Sequence, residues 1–193
     1  MTPEQILDER FFLSYRADYS SRYHRRRASF LSKFDTISNI VTMLAGTGVF
    51  VSLMQGGPVF FAQAAGLTIS ALAIVQVVVG IGPLGARHAE WMRGWDKLAN
   101  DIRAVPIPTE EDLRDWNDRR AEIEGECVNE LRALCYDCEN QTRTHWGLTE
   151  GIVRIEWWQR AIIQLGTFQS DFPVVTGPSP LPSRADAETG TGE

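Results

Sequence analysis

The chain has 193 residues, a formal net charge of -6, 44% hydrophobic and 23% charged residues, and a mean hydropathy of -0.18. These values exclude a collagen-like chain, a disulfide-dense miniprotein and a mostly disordered acidic protein, and the acidic balance argues against a nucleic-acid binder. They leave a membrane protein open, because an average conceals segregation.

The first segment, residues 1–33, reads as a basic amphipathic cytoplasmic helix. Phe12, Tyr15, Tyr19 and Tyr23 recur at spacings of three and four, with charges between them. No Pro or Gly interrupts the chain from Glu4 to Ala45, so this helix is expected to run straight into the next segment.

Between Asp35 and Arg87 there is no Asp, Glu, Lys or Arg for 51 residues. Two apolar blocks, Phe34–Met54 and Val59–Gly82, flank a Gln55-Gly56-Gly57-Pro58 turn. As helices they would measure roughly 31 and 36 Å, against a hydrocarbon core of about 30 Å. Apolar residues lie all round both, unlike an amphipathic surface helix. The short turn makes residues 34–82 an antiparallel two-span hairpin. A soluble alternative would bury the hairpin in a helical or oligomeric core.

The flanks orient it. Arg16, Arg22, Arg25, Arg26, Arg27 and Lys33 precede the first span, Arg87, Arg93, Lys97 and Arg103 follow the second, and the turn is uncharged. The positive-inside bias puts both termini in the cytoplasm. Arg22, Arg25, Arg26, Arg27 and Arg87 are then candidates for contact with lipid phosphates. His24 reads as a surface or interfacial residue of this stretch. The apolar block starts too late for a signal peptide, and Thr2 offers no myristoylation site.

Within the spans, Asn39, Gln63 and Gln76 are the candidates to line a water-filled path. Two helices cannot enclose one, so a pore needs a homo-oligomer. Gly46, Ala62, Gly66 and Ser70 are small residues suited to close helix packing.

Gly80-Ile81-Gly82-Pro83-Leu84-Gly85 predicts a break, with a helix resuming at Ala86 and stopping near Ala104 before Pro106 and Pro108. Trp91, Trp95, Leu98 and Ile102 form one stripe, read as the core of a cytoplasmic bundle. Thr109, followed by Glu110, Glu111 and Asp112, starts the next helix. Its apolar repeat, through Leu113, Trp116, Ile123, Cys127, Leu131, Leu134 and Cys138, predicts one helix to about Trp146, ended by Gly147. Thr149 would cap a last helix carrying Ile152, Ile155, Trp158, Ile162 and Leu165, to Gly166. Residues 83–170 thus form the cytoplasmic helices, and the proline-rich residues 171–193 a disordered tail.

Cys127, Cys135, Cys138 and His145 are residue types that bind zinc. A continuous helix cannot turn all four together, and Cys127 and Cys138 fit the core stripe as small hydrophobes. No Walker A, G-x-S-x-G or H-E-x-x-H motif occurs. Neither catalysis, cofactor, metal nor nucleic acid is expected. Residues 1–104 carry a net +3 and residues 105–193 a net -9, so anionic lipid should repel the distal helices.

Tyr23-His24-Arg25-Arg26-Arg27 leading into a two-span hairpin, Leu44-Ala45-Gly46-Thr47-Gly48 within the first span, and the helix Arg87 to Ile102 give the chain a familiar look. Over roughly residues 10–165 it resembles the bacterial SLATT proteins, two-span membrane effectors of nucleotide-linked conflict systems, and similar prophage-type membrane proteins. The resemblance implies a pore-forming or membrane-perturbing effector of the bacterial inner membrane, triggered through a nucleotide-signalling partner protein. The bottom-up alternative is a membrane-anchored adaptor that binds a cytoplasmic protein through its acidic helices. The expected fold is all-α: an antiparallel transmembrane hairpin continuous with a cytoplasmic helical bundle.

Overall fold

The computed structural model describes residues 1–56, 58–125, 131–148 and 150–164. The fold is all-α, with helices α1 (Pro3–Met54), α2 (Val59–Val79), α3 (Ile81–Ala104), α4 (Glu110–Gly125), α5 (Arg132–His145) and α6 (Trp157–Ile162). Cys127, Gly57, Thr149, Leu165, Gly166 and the tail 171–193 lie outside the described residues.

The 52 residues of α1 form one uninterrupted helix, as the lack of Gly or Pro up to Ala45 predicts. Val79 closes α2, and Gly80 takes the left-handed conformation (φ 62°), which glycine adopts without steric cost. The expected restart at Ala86 is corrected here, because α3 begins directly at Ile81. Pro83 falls in its first turn, where a missing N–H breaks no intrahelical bond.

The chain forms two compact units, one of Met1–Tyr23 with Asp96–Glu193, the other His24–Trp95. In the first, the described residues pack Leu13, Tyr15, Ala17, Tyr19 and Tyr23 of α1, Leu98, Ala99 and Ile102 of α3, Leu113 and Trp116 of α4, and Ala133, Leu134 and Cys138 of α5 into buried positions. Tyr15, Tyr19 and Tyr23 lie on the face that the periodicity selects, whereas Phe12 of the same stripe is exposed and Leu13 and Ala17 are buried in addition. Asp18 accepts hydrogen bonds from Arg103 (2.6 Å) and from the Trp146 indole N–H (3.0 Å). The Tyr23 hydroxyl accepts from the Leu131 N–H at 3.0 Å, serving a helix start that has no side-chain cap of its own.

Thr109 starts α4 as expected. Its hydroxyl accepts from the Asp112 N–H, and the Asp112 carboxylate accepts from the Thr109 N–H. Two distal expectations are corrected. The single helix from Thr109 to Trp146 is two helices, because α4 ends at Gly125 and Leu131 is extended (φ -81°, ψ 105°) before α5. Gly147, at φ 72°, lies just past α5. The last helix starts at Trp157 rather than Thr149. Glu156 caps it in a reciprocal box with Gln159, and Ile152 and Ile155 precede it in non-helical backbone. Trp158 is therefore exposed and not part of a buried face.

Arg143, itself buried, explains the turn between α5 and α6. It pairs with Glu139 and donates to the Glu150 carbonyl at 2.9 Å. Gly151, at φ 69°, lies so close that a Cβ there would stand 2.9 Å from the Arg143 guanidinium.

Candidate functional site

The second unit holds the apolar segment. Two helices are long and apolar enough to cross a membrane, α1 through its C-terminal part and the whole of α2. No residue of α2 is buried. Phe60 is 72% exposed, Leu67 73% and Val77 82%, and large apolar side chains from Ile37 to Val79 face outward in the same way. Each such side chain left in water forgoes about 1.5–3 kcal/mol of burial, while a whole domain is stable by only about 5–15 kcal/mol. This chain by itself therefore does not bury the segment as a soluble core.

The hydroxyl groups of the segment bond within their own helices, as those of Thr142 and Thr144 do in α5. Thr36, Thr47, Thr68 and Ser70 each donate a hydroxyl hydrogen bond to the carbonyl four residues back, all at 2.9 Å. Such bonds spare a hydroxyl from facing lipid unsatisfied.

Near one end of α2, three longer polar side chains meet. Gln76 donates to Asp35 Oδ1 (3.3 Å) and to Asn39 Oδ1 (3.2 Å), and Asn39 donates to Asp35 Oδ2 (3.4 Å). Two of the candidate lining residues, Asn39 and Gln76, are thus brought together. Gln63 is exposed, and thirteen residues of helix, roughly 20 Å of axial rise, separate it from Gln76. Asp35, the centre of the cluster, was not among the lining candidates. The i, i+4 spacing of Asp35 and Asn39 was its available signal.

A Cβ added at Gly46 or Gly66 would meet open space, whereas at Gly85 it would stand 3.3 Å from the Leu31 Cβ. The glycine at which helices approach closely is thus one that the sequence presents as part of a bend.

The basic stretch contains an unexpected buried element. His24 is 4% exposed and His88 5%, which corrects the reading of His24 as a surface residue. Their Nδ1 atoms lie 2.9 Å apart, so one ring donates and the other accepts. The Trp91 ring packs against both, at 5.4 Å from His24 and edge-on at 5.1 Å from His88. Burial pushes both imidazoles down to about 4, the His88 charge adding to the effect on His24 and the Arg27 guanidinium to that on His88.

Of the other flank residues, Arg25 and Arg87 are exposed, and Arg22, Arg26 and Arg27 are half-buried. The Arg27 guanidinium lies 5.8 Å from the Phe30 ring centroid. Trp91 and Trp95 are buried, as the core reading of their stripe expects. Cys138 is buried beside Tyr23 and Leu134, Cys135 is half-buried and His145 exposed. No cluster of three or more potential metal ligands occurs among the described residues.

Comparison with protein-family models, with curated proteins and with solved structures finds no match. The functional reading therefore rests on the chemistry of this chain.

Proposed function

We propose that the chain is a two-span integral membrane protein of the bacterial inner membrane, acting as a homo-oligomeric effector that permeabilises the bilayer. The observation that carries the reading is an α2 of high hydropathy with no buried residue. In this reading residues 34–54 of α1 and α2 form the antiparallel hairpin, and both termini stay on the basic, cytoplasmic side. Helices α3 to α6 complete a cytoplasmic bundle. Arg22, Arg25, Arg26, Arg27 and Arg87 hold lipid phosphates, and oligomerised hairpins enclose a path lined by Asn39 and Gln76, with Gln63 farther along. A nucleotide-signalling partner protein is the proposed trigger.

Two measurements test it. The protein should stay in the membrane pellet after alkaline carbonate extraction, and release into the supernatant would refute the spanning assignment. Induced expression should collapse the signal of a potential-sensitive dye. Cells that remain polarised at high expression, with the protein in the membrane, would refute the pore.

A membrane-anchored adaptor is the second reading, and one feature favours it. Glu111, Asp115, Asp118 and Glu122 of α4 are all exposed, and their spacing of four, three and four places them on one helical face. This acidic stripe suits a basic protein partner. Charge reversal at Glu111 and Glu122 should abolish capture of such a partner and leave membrane insertion intact.

A further inference from the structure

The carboxylate of Asp35 is the only ionisable side chain between Phe34 and Ala86. It sits where Gln76 and Asn39 converge, bonded to both at 3.3 and 3.4 Å. These are long hydrogen bonds, easily exchanged for other partners. The three side chains together offer the two carboxylate oxygens and two carboxamide oxygens, hard donors of the kind that hold hydrated or partly dehydrated cations. Amide orientation follows the local network, so a cation would turn the carboxamide oxygens inward where their N–H groups now donate.

Gln76 belongs to the last turn of α2, which ends at Val79 and carries no basic side chain there. The nearest lysine in sequence, Lys33, is two residues from Asp35, about 200° round the helix from it. The hairpin is thus uncharged everywhere except at one end, where a carboxylate and two amides share a small volume.

We propose that this cluster is the selectivity element of the path, and that the permeant species is a small cation. The inference rests on the oligomeric pore reading, in which several hairpins bring their Asp35 carboxylates into a ring. Rings of Asp or Glu select cations by attraction at the mouth. Asp35 supplies the charge, Gln76 and Asn39 hold it in place and contribute oxygens, and Gln63 contributes a neutral polar contact farther along.

The test uses the purified full chain reconstituted in planar bilayers with asymmetric KCl. The reversal potential should lie toward the potassium equilibrium value. Asp35→Asn, nearly identical in shape, should lower the potassium-to-chloride permeability ratio roughly tenfold, and Asp35→Glu should retain it. Carbonate-resistant incorporation of each variant confirms that it is inserted. An anion-selective or unselective wild-type conductance would overturn the cation assignment and leave the pore standing. An unchanged ratio in inserted Asp35→Asn would overturn the role of Asp35. Wild-type protein that inserts without any conductance would overturn the pore, and this inference with it.

Discussion

The histidine pair makes the stability of this protein depend on pH in a calculable way. In the unfolded chain an imidazole titrates near 6.5, whereas His24 and His88 are pushed down to about 4. Above pH 7 both states are neutral, and the pair costs nothing in protonation. Between pH 6.5 and 4 the unfolded chain takes up protons that the folded one refuses, so stability falls as pH falls. One unit of pKa difference corresponds to 1.36 kcal/mol, so at pH 5 each imidazole removes about 2 kcal/mol and the pair about 4, as an upper estimate. Below pH 4 this contribution levels off. The geometry agrees with the sign. Two Nδ1 atoms 2.9 Å apart hold a hydrogen bond only while at least one is unprotonated.

Thermal unfolding of the full chain in detergent, followed by near-ultraviolet circular dichroism, should show a marked loss of melting temperature between pH 7.5 and 5. That window stays above most carboxylate titration. The double variant His24→Asn with His88→Asn should be nearly insensitive over it. The imidazole carbon-bound protons provide a direct check. If nuclear magnetic resonance shows either ring titrating near 6.5, or if the wild-type melting temperature is flat to pH 5, the buried-pair account is wrong.

Leu134, fully buried in the α5 core, should cost about 2–5 kcal/mol as Leu134→Ala in denaturant titration. Gly85→Val should destabilise by about 1–3 kcal/mol, because even a Cβ there stands 3.3 Å from Leu31 and the larger group must displace it. Tyr15→Phe should be neutral or raise the melting temperature, since the Tyr15 hydroxyl is buried with no hydrogen-bond partner among the described residues and removing an unsatisfied group relieves its desolvation cost. Asp18→Ala should lose about 1–3 kcal/mol, because it strands the Trp146 indole N–H and releases Arg103.

Local signals reached the structure wherever one residue type governs one backbone state. The absence of Gly and Pro from Glu4 to Ala45 keeps α1 unbroken over that stretch, and the helix continues through Gly46 and Gly48 to Met54. Thr109 starts α4 because a hydroxyl and a carboxylate three residues apart satisfy each other's N–H groups. The Trp91, Trp95, Leu98 and Ile102 stripe is buried because helical spacing fixes which side chains share a face. The same periodicity misled in the distal region. Apolar residues continue at helical spacing past Leu131, whose backbone is extended, and Ile152 and Ile155 fit the period yet lie outside α6. The cap signal was there to be read. Glu156 and Gln159 form a box three residues apart, a better marker of the helix start than the apolar repeat.

The candidate site was legible in part, for a different reason. Asn39 and Gln76 stand out because polar residues are rare in the apolar blocks, and rarity is visible in a sequence. Their meeting with Asp35 brings together residues 41 and 37 positions apart, and His24 meets His88 across 64. No local pattern encodes either pairing. Both depend on α1 running without a break past the basic stretch, on the reversal between Met54 and Val59, and on α2 passing into α3 through Gly80 at φ 62°. A residue able to take that backbone angle therefore matters to both sites, although it touches neither. An L-residue at position 80 would meet open space, so any cost would come from backbone strain alone, about 1 kcal/mol or somewhat more. That strain acts on the α2–α3 junction and should disturb the Gln76 cluster and the His88 environment together. Gly80→Ala should thus shift the imidazole resonances and the ion selectivity in the same variant. If one moved without the other, the two sites would not share this hinge.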